Sequence, residues 1–157
     1  MSQVLETLYA SAGADVIHHT LEVKRVGSSV TPVRLCNGFD DVTATLEDAS
    51  TVNFTGSGLG VSLPQKSVKG RQDLQFQLDN VSGEAIQYID AAIDAGDTIQ
   101  VNYRPFVGSD LSAPSQPPMI MTASSVQATN KSVAVVAGFN DLVNKAWPRR
   151  RYTPSFA

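Results

Sequence analysis

Two adjacent histidines, His18 and His19, are the residues of this chain that most directly suggest chemistry. Imidazole nitrogens bind transition metals and exchange protons near neutral pH. The residues around the pair alternate between apolar and polar types, which predicts a β-strand, and neighbouring strand residues point to opposite faces of a sheet. The two rings therefore cannot chelate one ion, and we predict no metal or cofactor site.

Three carboxylates, Asp40, Asp41 and Asp48, are of the residue type that binds calcium. Their spacing lacks the alternating oxygen ligands of an EF-hand loop, so we interpret them as solvated or capping carboxylates of turns. The single cysteine, Cys36, excludes an intramolecular disulfide. Its position in an alternating segment predicts a half-buried strand residue.

A glycine-rich stretch at residues 56–60, Gly-Ser-Gly-Leu-Gly, has the composition of a phosphate loop or a nucleophile elbow. It lacks the Lys-Ser/Thr pair of the first and the spacing of the second. A Ser-His-Asp triad would have to take its base from the histidine pair near the N-terminus, which is weak support. The two carboxylates of a glycosidase are also compatible with the sequence, which singles out no pair. We therefore predict no catalytic residue.

The last twelve residues, 146–157, combine aromatic side chains, three consecutive arginines and two prolines. The prolines disfavour a helix or a central strand, and Trp, Tyr and Arg dominate the energetic anchors of protein interfaces. We therefore predict an extended C-terminal arm that binds a neighbouring subunit. Its predicted contact residues are Trp147, Arg149, Arg150, Arg151, Tyr152 and Phe156.

The triple arginine is also suited to binding the phosphates of a nucleic acid. It is one short cluster in a chain of net charge −3, and carboxylates of a neighbouring subunit satisfy guanidinium groups equally well. We favour the subunit and expect no specific nucleic-acid partner. The N-terminal residues lack a secretory signal and no apolar run is long enough to span a bilayer, so we expect synthesis in the cytoplasm and no membrane contact.

The 157 residues, 42% hydrophobic and 17% charged, suffice for one globular domain, which we predict over residues 1–145. Alternation of apolar and polar residues predicts seven or eight strands, and helical spacing predicts helices at 2–12 and 83–95. Residues 51–71, rich in Gly, Ser and Lys, predict a long exposed hairpin or flap, with Asn53-Phe54 as a candidate short strand. The predicted fold is mainly β, a β-sandwich or incomplete barrel with one central flanking α-helix and a short N-terminal helix.

Three finer predictions concern how these elements pack. The central helix places Ile86, Ile89 and Ile93 on one stripe, which should lie across the open face of the sheet. The strand that follows it should stop at Pro105, because proline cannot donate to a sheet ladder. The last strand, residues 132–139, is apolar on both faces, which predicts either a central position in a sandwich or cover by a neighbouring subunit.

Four segments of the chain have recognisable patterns of strand and turn residues. They are residues 34–47 (RLCNGFDDVTATLE), 74–82 (LQFQLDNVS), 101–104 (VNYR) with Ser109-Asp110, and 147–152 (WPRRRY). Together these segments resemble a family of short proteins encoded in the tail modules of long-tailed bacteriophages, near the tape-measure gene. The resemblance spans nearly the whole chain.

This resemblance implies a minor tail or tail-tip component, similar in placement to the distal tail proteins that join the tail tube to the baseplate hub. We therefore expect a structural, non-enzymatic adaptor in the virion that forms a ring with itself. Analogy with distal tail proteins favours a hexamer over a trimer. Its expected partners are the tail tube, hub and tape-measure proteins. The alternatives are a cell-wall hydrolase or a carbohydrate-binding domain at the tail tip.

Overall fold

The structure is a computed structural model that describes residues 15–62, 73–79, 83–128 and 132–138. Within these ranges the chain forms nine strands and one helix. The elements are β1 (Ile17–Arg25), β2 (Val33–Asn37), β3 (Val42–Thr45), β4 (Thr51–Ser57), β5 (Leu59–Ser62), β6 (Asp73–Asp79), α1 (Gly83–Ala95), β7 (Ile99–Val107), β8 (Met119–Ala128) and β9 (Ser132–Gly138). The predicted N-terminal helix and the C-terminal arm lie outside the described residues.

All nine strands belong to one sheet, in the order β3-β4-β2-β1-β7-β8-β9-β6-β5. Neighbouring strands are antiparallel, except that β2 and β4 are parallel. The sheet is not closed into a barrel. The prediction of a mainly β fold with one central flanking helix is therefore confirmed.

The segment 51–62 connects the two ends of this sheet. Its first strand, β4, pairs with β2 and β3, whereas its second strand, β5, forms the opposite edge beside β6. Only Gly58 separates the two strands. A flat sheet would hold its two ends far apart, so the sheet must roll, and β5 comes close to β2.

The prediction of an exposed hairpin or flap over 51–71 is wrong for residues 51–62, although the short strand predicted at Asn53-Phe54 is confirmed as part of β4. Residues 63–71 lie outside the described part. Phe54 is completely buried, and Ser57 and Leu59 are buried as well. Of the small residues that suggested an exposed loop, Gly56 is required by close packing. A Cβ on Gly56 would lie 2.8 Å from the backbone of the loop that contains Phe39 and Asp40.

One face of the sheet, the first face, packs an aliphatic core against α1. Alternate residues of the strands supply it, because side chains two apart share a face. The helix contributes Ala85, Ile89 and Ala92, and its two alanines let the backbone approach the sheet closely. The strand residues of this first core are Leu21, Val23, Leu35, Leu59, Phe76, Ile99, Val101, Tyr103, Met121, Val133, Val135 and Ala137.

The helix is rotated relative to the predicted stripe. Ile89 is buried and Ile86 is half-buried, but Ile93 is 51% exposed. Gly96 ends the helix with a φ of 70°, a conformation that favours glycine. The N–H of Asp97 donates to the Ala92 carbonyl at 2.9 Å, which closes the C-terminal turn.

The opposite side of the sheet, the second face, has its own smaller core where the β3–β4 hairpin packs. The rings of Phe54 and Phe106 lie 6.0 Å apart there, between centroids. The other buried members are Cys36, Val42, Ala44 and Leu46. Cys36 is completely buried rather than half-buried as predicted, because it lies under this hairpin.

The strand β7 continues through Pro105 to Val107, so the predicted stop at Pro105 is wrong. The N–H of Gly108 donates to the Val16 carbonyl at 2.8 Å, which fixes the hydrogen-bonded pairs of the β1–β7 ladder. By alternation, the backbone of Pro105 faces away from β1. On that side β8 pairs only as far as Tyr103, so no ladder donor is needed from the proline.

Candidate assembly surface

The six predicted contact residues of the C-terminal arm lie outside the described residues, so their role stays a prediction. The described part of the chain is strongly acidic. It contains four Lys or Arg against thirteen Asp or Glu, a net charge of −9. The predicted arm, residues 146–157, contains three Arg and no Asp or Glu, a net charge of +3. The arm is therefore opposite in charge to the described fold.

Few positive charges are free on the described surface. Arg25 is paired with Asp97, with 2.6 Å between its Nε and Oδ2. Arg34 and Arg104 are both paired with glutamates. Lys24 is the remaining basic residue of the described part. The outer surface of the described fold is consequently acidic, and it is suited to a basic partner.

The exposed side of α1 is the most regular acidic surface of the described fold. Glu84, Asp90 and Asp94 are exposed, and the helix contains no lysine or arginine. No cation among the described residues lies within ion-pair distance of these three carboxylates. Ile93, which is 51% exposed, stands between Asp90 and Asp94 in the sequence of the helix, so the exposed side combines apolar surface with negative charge.

A second exposed feature is the loop between β2 and β3, where Phe39 is fully exposed. The loop is held firmly, because its backbone rests on Gly56 and the Asp41 carboxylate accepts the Gly56 N–H at 2.9 Å. The N–H of Gly38 donates to the Ser57 carbonyl at 3.3 Å. An aromatic side chain presented by a fixed loop is the type of residue that anchors protein interfaces.

The sheet also leaves an open area on its second face, over β5, β6 and β9. A shallow cleft of about 380 Å³ lies there, lined mainly by glycine, alanine, glutamine and valine. Ala134 is exposed and Val136 is half-buried, so no described element covers them. The doubly apolar last strand, β9, is an interior strand of the single sheet, between β8 and β6, and cover of its second face by a neighbouring subunit stays a prediction.

The second face of β1 and β7 buries a charged cluster. Glu22 is 6% exposed and Arg104 is 4% exposed. The Asn102 amide donates to Glu22 Oε1 at 2.9 Å, and the Arg34 Nε donates to Glu22 Oε2 at 2.8 Å. Arg104 also donates to both carboxylate oxygens of Glu47, at 2.9 and 2.7 Å. Two arginines and two glutamates thus neutralise each other within the fold.

The electrostatics of this cluster follow from its contacts. Burial alone would raise the pKa of Glu22, but the hydrogen bond from Asn102 and the charges of Arg104 and Arg34 outweigh burial and lower it. The hydrogen bonds from Arg104 likewise lower the pKa of Glu47. Both carboxylates are therefore ionised at neutral pH. They have no tendency to exchange protons there, which argues against an acid–base role.

The structure separates the two histidines as predicted. His19 Nδ1 lies 2.7 Å from the Tyr103 hydroxyl, and its ring stacks on that of Tyr103. Burial, followed by the charge of His18, lowers the pKa of His19, so its ring is neutral at neutral pH. His18 lies on the other face, near Gly108. His19 thus has an internal structural partner.

The other candidate groups also take local roles. The Asp48 carboxylate accepts from the N–H and the hydroxyl of Ser50, which closes a turn, and these bonds lower its pKa. Burial raises the pKa of the Cys36 thiol, which keeps it protonated. Within the described ranges, no group of three or more His, Cys, Asp or Glu side chains is placed to hold a metal ion. No described helix is both long and apolar enough to cross a membrane.

These features define a single-sheet, mainly β protein with an acidic surface. Residues 3–152 match the model of the family described as a domain of unknown function, DUF1833. The chain belongs to this family, and the match includes all described residues and the arm as far as Tyr152. A search of curated proteins finds no match to the chain.

Two features of this surface were absent from the sequence predictions. Phe39 stands within a segment that the resemblance highlighted, but only the structure shows that its ring is fully exposed. The Glu22–Arg104 pair joins residues far apart in sequence, so no local pattern signals it. The contrast between a basic arm and an acidic domain is the signal that was available for an acidic assembly surface, since both charges can be counted from the sequence.

Proposed function

We propose that this protein is a structural component of a bacteriophage tail tip, an adaptor that assembles as a ring and links the tail tube to hub or fibre proteins. The resemblance of residues 34–47 and 147–152 to tail-module proteins supports the location. The charge separation within the chain supports the mode of assembly. The protein acts by binding its neighbours and not by catalysis.

The observation that carries this proposal is the contrast between the arm, residues 146–157, which has three arginines and no acidic side chain, and residues 1–145, which have a net charge of −6. Copies with separate acidic and basic parts attract one another head to tail. Such a contact joins two different surfaces and is called heterologous, and it forms a ring when its rotation closes. Six copies are favoured by analogy with distal tail proteins, and three copies are the competing number.

Two further surfaces favour assembly. The loop around Phe39 presents an aromatic anchor, and the open area over β5, β6 and β9 offers a broad uncovered sheet surface. The buried titratable groups favour a structural role, because Glu22, Arg104 and His19 all have partners within the fold. Turnover of purified bacterial cell wall by the protein would contradict the proposal and favour a hydrolase.

Truncation after Asn144 tests the role of the arm. Two or three desolvated aromatic or arginine anchors each contribute roughly 2 kcal/mol or more to an interface. We therefore expect the truncated chain to remain folded, with an unchanged circular dichroism spectrum, and to be monomeric by light scattering where the full chain is oligomeric. A truncated chain that assembles like the full chain would contradict arm-mediated assembly.

A matched variant separates charge from geometry. Replacing Arg149, Arg150 and Arg151 by lysine keeps the charge but removes planar, two-point contacts with carboxylates. This variant should assemble more weakly than the full chain and more strongly than the truncated chain. Gold-labelled antibodies on intact virions then test the location, since labelling along the tail tube or on the capsid would contradict a tail-tip position.

A further inference from the structure

The carboxylates on the outer side of α1 interact unfavourably with each other and with the helix dipole, and no described cation compensates for this. Asp90 and Asp94 are four residues apart, so their like charges repel across one helical turn. They also lie in the C-terminal half of the helix, where the helix dipole favours positive charge. No basic residue occupies the last turn. A cation brought to this surface from elsewhere would relieve both effects.

The same surface offers an apolar contact. Ile93 is 51% exposed and Ala91 is exposed, and in the sequence both stand between Asp90 and Asp94. Burial of an exposed isoleucine at an interface favours association, because it removes apolar surface from water. A partner for this surface should therefore carry both positive charges and large apolar or aromatic side chains.

The last described residue before the arm, Gly138, lies near the C-terminal end of this helix. Gly138, the last described residue, is opposite Thr122, and Thr122 is opposite Gln100. Gly138 therefore lies about 10 Å from Gln100, two strand spacings away. Gln100 follows the end of α1 by five residues. The chain thus leaves the described sheet at the end where the acidic helix terminates.

The chain beyond Gly138 is long enough to reach past the whole of α1 in the same copy. Arg150 is twelve residues further, and an extended chain covers about 3.3–3.6 Å per residue, which gives a reach of roughly 40 Å. The thirteen-residue helix is only about 20 Å long. Pro148 and Pro154 favour an extended chain over a compact return.

We propose that the outer side of α1, with Glu84, Asp90, Asp94 and Ile93, binds the arm of a second copy, residues 146–157. The three arginines of the arm contact the carboxylates, and its aromatic side chains cover Ile93. This inference rests on the proposed function and specifies which surface of the chain receives the arm. Each copy then gives its arm to one neighbour and receives an arm from the other.

Charge removal on the helix is the first test. In the full chain, Asp90→Asn with Asp94→Asn should weaken assembly at least about tenfold, measured by sedimentation over a dilution series. The thermal midpoint of this variant at monomeric dilution should be unchanged or higher, because repulsion within the helix is relieved. The matched control is Asp48→Asn with Asp110→Asn, which removes two exposed carboxylates elsewhere and should leave assembly unchanged.

Mixing two defective variants tests whether the arm binds in trans. One is the chain truncated after Asn144, which keeps the helix surface. The other is the full chain with Asp90→Lys and Asp94→Lys, which keeps the arm. Each should be monomeric alone, and together they should form a one-to-one complex that is lost at high salt. Absence of this complex would overturn the inference, as would an arm that binds its own helix.

These outcomes separate the inference from the proposed function. If truncation abolishes assembly while the Asp90→Asn, Asp94→Asn variant assembles normally, the arm binds another surface and only the inference fails. If the truncated chain assembles normally, the arm-mediated assembly on which the proposed function rests fails as well. An equal loss in the Asp48→Asn, Asp110→Asn control would show a general charge effect and would also overturn the inference.

Discussion

The two faces of the β1–β7 strand pair are buried by different chemistry. On the first face, Leu21 and Val101 lie in an aliphatic core covered by α1. On the second face, Glu22 and Arg104 belong to a charged cluster with two further partners. Both faces are almost fully shielded from water, although successive residues of the same strands supply them.

The difference between the faces determines how each responds to change. An aliphatic core tolerates small losses of volume, because neighbouring side chains relax partly into the gap. A buried charge pair does not tolerate the loss of one partner, because the remaining charge stays desolvated and unpaired. The first face should therefore respond to size, and the second to charge and pH.

The largest expected effect is from Arg104→Met. This change removes the guanidinium that contacts both Glu22 and Glu47, and loss of one partner of a buried pair costs about 3–5 kcal/mol; because Arg34 remains paired with Glu22, we expect the lower end of that range. Chemical denaturation at neutral pH measures the free energy of unfolding. The double variant with Glu22→Gln should lose less than the sum of the two single variants, and simple additivity would show that the pair is not coupled.

The next effect concerns the tight crossing on the second face. Gly56→Ala places a Cβ 2.8 Å from backbone atoms of Phe39 and Asp40, and both are backbone contacts that cannot rotate away. Overpacking of this kind costs about 1–3 kcal/mol. Gly60→Ala is the matched control, because its added Cβ has only one contact, at 3.8 Å. Equal midpoints for the two variants would contradict a close crossing at Gly56.

A smaller effect is expected on the first face from Ile89→Val. Removing one methylene from this buried helix residue should cost about 0.5–1.5 kcal/mol. Because no titratable group is involved, the loss should be the same at pH 7 and at pH 4. A loss that changes between these two pH values would show that the two faces are coupled.

The smallest effect is the pH dependence due to Glu22 itself. Its pKa is lowered in the fold, so the unfolded chain takes up a proton first as the pH falls. The stabilisation is complete above the ordinary glutamate pKa of about 4.3 and is lost as the pH falls from there through the lower pKa of the folded state. The loss of stability in acid should therefore be shallower in Glu22→Gln than in Ile89→Val. Parallel acid titrations of these two variants would contradict this assignment.

The sequence predicts the first face better than the second. Alternation of apolar residues identifies the strands around Leu21 and Phe76, and Gly96 correctly ends the helix. The same alternation cannot separate a polar residue in water from one in a buried ion cluster, because both give a polar position. Glu22 therefore has the sequence pattern of a solvated residue, although its partner Arg104 shields it.

Two structural features depend on contacts between distant segments. Small residues at 56–60 suggested a flexible loop, but Gly56 is small because another backbone crosses it. The helix stripe was misplaced by one position, since the two alanines that face the sheet are weak hydrophobic signals compared with Ile93. Only the arm was predicted as an assembly surface. The role proposed for the carboxylates of α1 depends on Gly138 lying near the end of that helix, which the sequence does not show.

The pairing of β1 with β7 has a consequence for synthesis on the ribosome. Ile17 pairs with Val107, so the central ladder cannot form until about ninety further residues have been made, which takes roughly 5–20 s at 5–20 residues per second. During that interval the nascent β1 can pair only with β2, and its aliphatic side chains are not yet covered by α1. Ribosome-bound chains stalled before residue 99 should consequently be cleaved by protease within β1, whereas chains whose β7 has left the exit tunnel should be protected there.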